Sequence, residues 1–206
     1  MIREIRLLGD PVLQAESEIV SIERAKANVY SVLIEDMLET MQSHKAVGLA
    51  ASQVGESVQI VVIDTRNASQ ERSEMIIGDV PQDVAQNMPM VLLDPVITYA
   101  EGKTLSREGC LSLPGVMINV TRSKLITVGY TKPTGETAEF TCMGFLANVV
   151  QHELDHLKGI LMYNRADAAT KASISGSLKK IMKYRKFQDT VKKLESAKNN
   201  EPTPSL

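Results

Sequence analysis

Apolar residues along the chain fall into helical and strand periods. Ser21 stands where a helix cap belongs. Ile22, Val29, Val32, Leu33 and Met37 follow at helical spacing, predicting one helix that runs to about Gln42. Residues 46–55 (AVGLAASQVG) are small and read as a closely packed loop, and residues 58–64 (VQIVVID) predict a buried strand. Residues 66–88 are mostly polar, with Gly78 and Pro81, and predict a long, mobile surface excursion. Strands are expected over 91–99, 125–130 and 136–141, with a turn at Pro133, Thr134 and Gly135.

A helix is expected over 145–157, between Gly144 and Gly159. A second spans 172–197, where Ile174, Leu178, Ile181, Tyr184, Phe187, Val191 and Leu194 recur three or four apart. The chain thus divides into a body over 1–170, a basic helix over 171–197 and a disordered tail over 198–206. Clustered strands flanked by helices give an α+β class, with antiparallel sheets packed around a central helix and a C-terminal helix beside them.

At 206 residues, 43% hydrophobic and with a net charge of −2, the chain fits one globular domain and does not call for nucleic acid as its main partner. Arg3, Glu4, Arg6 and Asp10 interrupt any signal-peptide core, and no apolar run approaches the ~20 residues of a membrane helix. The expectation is a cytoplasmic protein with no membrane partner. Its two cysteines, Cys110 and Cys142, are then reduced, and one that stands out is a ligand, a nucleophile or simply buried.

The chemistry is concentrated in Gln151-His152-Glu153-Leu154-Asp155-His156. On a helix, His152 and His156 lie on one face a turn apart and can grip one metal ion. Glu153 sits beside that ion, placed to take a proton from the attacking water and return it to a leaving group. A catalytic site needs a third protein ligand. Met162 occupies the position where a metzincin would carry histidine. No glutamate follows Glu153 until Glu195, which argues against a thermolysin-like site. The remaining sources are Asp167 or an upstream residue, His44 or Cys110. The need for a third ligand favours Cys110, beside Gly109, over His44, which follows a helix end.

AVGLAASQ at 46–53, EGCLS at 108–112 and QHELDH at 151–156, in that order, resemble the three signatures of peptide deformylase. The resemblance runs over about residues 3–170 and includes the RLLGDPVL start, while the long C-terminal helix is similar to that of a bacterial group within the family. It implies that Cys110, His152 and His156 hold one divalent metal ion. Ferrous iron is the ion implied, with Zn2+, Ni2+ or Co2+ as substitutes. It further implies Glu153 as general acid and base, with Gln53 and the Leu111 N–H facing the oxyanion. Gly48 would bind the peptide backbone, and Val47, Phe145, Asn148 and Val149 would line a methionine pocket. The implied reaction removes the formyl group from nascent formylated peptides, and the basic helix is implied to dock on the ribosome.

Two positions depart from the pattern. Ala46 replaces a glycine, which would strain the loop if its φ were positive. Asn148 stands where the family has an apolar residue. The 66–88 stretch is also long for a compact bacterial form. A deformylase-like protein that binds formyl-peptides or ribosomes without turnover is the competing reading, and a general metalloprotease is a third.

Overall fold

The computed structural model describes residues 1–68 and 72–199. Residues 69–71, within the expected excursion, and 200–206, within the expected tail, lie outside them. The helices are α1 (Ile22–Lys26), α2 (Ser31–Ser43), α3 (Phe145–Leu157) and α4 (Ala168–Asn199). The strands are β1 (Gly48–Ala50), β2 (Ile60–Ile63), β3 (Ser73–Ile77), β4 (Val80–Gln82), β5 (Met90–Glu101), β6 (Thr104–Gly109), β7 (Met117–Arg122), β8 (Leu125–Thr131) and β9 (Thr137–Gly144). Seven strands form an antiparallel sheet in the order β1-β2-β5-β8-β9-β3-β4, and β6 pairs with β7 as a separate hairpin.

Strand β2 shows why the apolar run is continuous. All four of its residues are buried. Val61 and Ile63 point into the core under α3, with Leu92, Phe140, Val150 and Leu154. Ile60 and Val62 point to the other face, where α2 packs Met37 and Met41. Alternation in a strand covered on both sides produces no polar gaps. A third cluster joins the β6–β7 hairpin, through Ile118 and Val120, to Leu8, Leu161, Met162 and Ile181 of α4.

Five expectations change. The single helix over 21–42 is broken. Ser21 caps α1, but Asn28 takes a left-handed φ of 55° and ends that run, so Ile22, Val29 and Val32 are exposed. Residues 46–55 are a sheet-edge strand and a 3-10 turn, Ala51–Val54, rather than a loop. The polar stretch contains the hairpin β3–β4, with β3 paired to β9. It reads as polar because only Met75 of these strands is buried in the core. The β6–β7 hairpin was not expected, since its inward positions on β7 are Ile118, Val120 and the charged Arg122. Finally, α4 starts at Ala168, and its apolar stripe packs only as far as Ile181: Tyr184, Phe187 and Leu194 are exposed. Among the described residues, no helix is long and apolar enough to cross a membrane.

Candidate metal centre and substrate cleft

Helix α3 is the central element. Leu146, Ala147, Val150, Leu154 and Leu157 bury it, fixing its rotation, and His152 and His156 then emerge together beside the turn after β6. Their rings meet edge to face with centroids 5.1 Å apart. Cys110, the first residue after β6, brings its Sγ to 3.3 Å from His156 Nε2. One donor atom each from Cys110, His152 and His156 lies within 4.8 Å of the others, a grouping that could hold an ion. The turn is tied down from both sides: Leu113 N–H donates to the Cys110 carbonyl, and Leu8 N–H to the Ser112 carbonyl.

A buried ionic chain supports this group. Glu108 Oε2 lies 2.9 Å from His152 Nδ1, which leaves Nε2 for a metal. Arg122 grips Glu108 with two hydrogen bonds of 2.8 Å and reaches Asp155 with its third nitrogen. Arg165 closes the chain on Asp155 from the outside at 2.6 Å. Gln151 joins α3 to the end of β7: its amide accepts from Ser123 N–H and donates to the Ser123 and Ala147 carbonyls. Glu108, Arg122 and Asp155 are not legible as a unit in the sequence. The available signal was two acids inside the quoted motifs with no cation yet assigned to them.

The electrostatics follow from this packing. Burial pushes Glu108 up, but the Arg122 and His152 hydrogen bonds and charges outweigh it and bring the carboxyl down to about 2. Burial likewise opposes the Cys110 thiolate, yet His156 and His152 hold the thiol well below its ordinary value. Burial raises the Glu153 carboxyl despite the two imidazoles. Its Oε2 is buried without a partner among the described residues, as is His156 Nδ1. Cys142 is a plain core thiol, pushed up to about 12 by burial.

Gln53 is buried in the 3-10 turn. Its Oε1 accepts from Ala50 N–H at 2.9 Å, so its Nε2 is turned toward Cys110 Sγ, 3.6 Å away. Among the described residues, no acceptor meets the Leu111 N–H. A cleft of about 720 Å3 opens from this point, lined by Gly48, Val47, Phe145, Asn148 and Val149 as well as Cys110, His152 and Glu153. His44 stays at the exposed rim, its Nδ1 2.9 Å from the Thr40 carbonyl, and Asp167 caps α4 through Thr170 N–H. Neither joins the Cys110 cluster.

A family profile described as Polypeptide deformylase matches residues 2–172. The chain belongs to this family. A peptide deformylase of Methylacidiphilum infernorum is 39% identical over 183 residues, covering 88% of this chain and 93% of its own. One of Dictyoglomus thermophilum is 40% identical over 166 residues, covering 81% and 94%. The crystal structure of the Thermus thermophilus peptide deformylase superposes with a TM-score of 0.73 at 34% identity, covering 89% of this chain and 99% of that one.

Both departures from the deformylase pattern now have a physical description. The left-handed residue before β1 is Lys45, with φ 53°, and Ala46 is not among the positive-φ residues. The alanine therefore carries no such strain. Asn148 lies in the cleft wall one turn before His152, and its Oδ1 is buried with no hydrogen-bond partner among the described residues. Most of α4 lies beyond the matched residues.

Proposed function

We propose that this protein is a metal-dependent hydrolase that removes the N-terminal formyl group from formyl-methionine of nascent polypeptides in the cytoplasm and releases formate. The observation that carries this reading is the Cys110–His152–His156 donor group beside buried Glu153, at the end of a largely apolar cleft. Two imidazoles and one thiolate fit one divalent ion. Family resemblance makes Fe2+ the assignment, and the same donors would accept Zn2+, Ni2+ or Co2+. When bound, the ion would supply Lewis acidity toward the formyl carbonyl and acidify the attacking water.

The chain's own residues supply the rest. Val47, Phe145, Asn148 and Val149 take the methionine side chain, and the Gly48 backbone holds the peptide in line. As the water oxygen bonds to the formyl carbon, negative charge grows on the carbonyl oxygen. The Gln53 amide, locked by Ala50 N–H, and the unengaged Leu111 N–H donate to it. Glu153 takes the proton lost by the water. Its raised pKa suits it to hold that proton and hand it to the departing nitrogen as the C–N bond breaks.

Formate release from formyl-Met-Ala-Ser by anaerobically prepared, iron-loaded protein tests this, with Glu153→Ala as the control. Release that is lost in the variant is expected. No release from protein that binds one metal ion would overturn the assignment and favour a binding-only role.

We further propose that residues 171–197 dock the catalytic body, residues 1–170, on ribosomal RNA. The exposed Lys179, Lys180, Lys183, Lys186 and Lys193 of α4 support this. Binding to ribosomes should weaken steeply with salt and with Lys179→Glu/Lys183→Glu/Lys186→Glu. Binding unaffected by both would exclude it.

A further inference from the structure

The cleft has a wall that the family match does not reach. Tyr184 and Gln188, on the fifth and sixth turns of α4, line the same cavity as Cys110, Glu153 and Gln53, together with Glu4, Ile5 and Leu7 of the N-terminal segment. The matched residues end at 172, twelve positions before Tyr184. We infer that α4 is part of the substrate site, and that Tyr184 and Gln188 hold the stretch of formylated chain that follows the first residue. This rests on the deformylase reading for the nature of the ligand.

The helix is fixed in position for such a role. Ile181 is buried, with Ile174 and Leu178 packed around it, in the cluster that includes Leu113, Val116 and Cys110. One turn further on, Arg185 donates to the Gly9 carbonyl and pairs with Asp189. Beyond that, Lys192 pairs with Glu4. Between these anchors Tyr184 remains 54% exposed, although it lies within an anchored stretch of helix. Its hydroxyl accepts from Gln188 Nε2 at 3.2 Å. The hydroxyl hydrogen and the Gln188 carbonyl oxygen are then left to address a ligand.

The size and chemistry agree. About 720 Å3 lies in the upper part of the ~300–1,000 Å3 range of small-molecule sites, room for a short peptide rather than one residue. The apolar end around Phe145 and Val149 suits one side chain. The end at Tyr184 offers an aromatic face, a hydroxyl and an amide, groups that engage peptide backbone and varied side chains alike. A processing enzyme that meets every nascent sequence needs that tolerance beyond the first residue.

The test is binding by the metal-loaded Glu153→Ala protein, which separates the question from turnover. Affinities for formyl-Met-Ala-Ser and formyl-Met-amide are measured by calorimetry with and without Tyr184→Ala/Gln188→Ala. The double variant is expected to lose about tenfold more affinity for the tripeptide than for the amide, the combined effect of one hydrogen bond and one aromatic contact. Phe187→Ala, on the same helix but outside the cleft wall, should leave both affinities unchanged, and Tyr184→Phe should restore part of the loss. An unchanged ratio in the double variant would overturn the proposal, and so would an equal loss in Phe187→Ala, since that would mark general displacement of the helix. If the tripeptide binds but wild-type protein releases no formate, the deformylase reading fails while this one stands.

Discussion

A methyl group on Gly48 would lie 2.5 Å from Glu153 Oε1 and 2.8 Å from its Cγ. The edge strand β1 and helix α3 therefore approach closely enough that only a hydrogen fits between them. The backbone of Gly48 is ordinary, so the constraint is space rather than conformation. Gly48→Ala should push the Glu153 carboxylate aside and leave the fold standing. Displacing a proton-transfer group by about 1 Å costs on the order of 100-fold in rate. The expected result is a loss of that size in kcat on formyl-Met-Ala-Ser with metal content unchanged. Near-normal kcat would mean that Glu153 tolerates a shifted position.

Arg122 neutralises two buried carboxylates at once, Glu108 and Asp155. Arg122→Met keeps the bulk but, among the described residues, takes from Glu108 its only arginine, leaving it the His152 contact, and leaves Asp155 with the outer Arg165 alone. Breaking a buried pair costs about 3–5 kcal/mol, which for a chain of this length is a fall in Tm of roughly 10 °C. Glu108 also orients His152, so metal affinity should fall about 10–100-fold. Thermal unfolding and competition with a chelator read the two effects separately. A stable variant that binds metal as tightly as wild type would show that His152 and Arg165 alone suffice to hold Glu108 and Asp155.

What the sequence made legible tracks how local each cause is. His152, Glu153 and His156 were readable because one helical turn sets their relation, and α3 runs as expected between its flanking glycines. Strand β2 was readable from its apolar run. The hairpin β3–β4 was not, because an edge pair that buries Met75 alone has little apolar pattern to show. Arg122 hid the inward face of β7 for a related reason: an inward-pointing charge is legible only when its partners, here Glu108 and Asp155, are known to lie opposite. Asn28 broke a helix that spacing alone would carry through. The return of α4 to the cleft depends on contacts from Arg185 to Gly9 and Lys192 to Glu4, more than 170 residues apart in sequence, which no window along the chain can see.

Gly144 makes the junction from β9 into α3 possible. Its φ is 71° with ψ −141°, and a Cβ there would meet the Arg72 carbonyl oxygen at 2.3 Å. The same carbonyl accepts from Phe145 N–H, so it cannot move away without losing the first bond of the junction. Gly144→Ala is expected to destabilise by about 3 kcal/mol, at the upper end of the cost of a forbidden backbone region. The readout is the midpoint of chemical denaturation. A shift below about 1 kcal/mol would show that the junction relaxes.

Asn148 is the one polar side chain among Phe145, Val149 and Val47 in the cleft wall, and its buried Oδ1 has no partner among the described residues. A buried, unpaired amide oxygen costs about 1–3 kcal/mol. Leucine has nearly the same shape and removes that cost. Asn148→Leu is therefore expected to raise stability by about 1 kcal/mol, a gain of roughly 3 °C in Tm. The same change makes the wall uniformly apolar. It should lower KM for formyl-Met-Ala-Ser while lowering kcat/KM for a formyl-peptide with glutamine in first place, so that discrimination between the two widens several-fold. A variant that is less stable and less selective would mean that the amide is satisfied by ordered water, and that the wild-type pocket uses it to orient the substrate side chain.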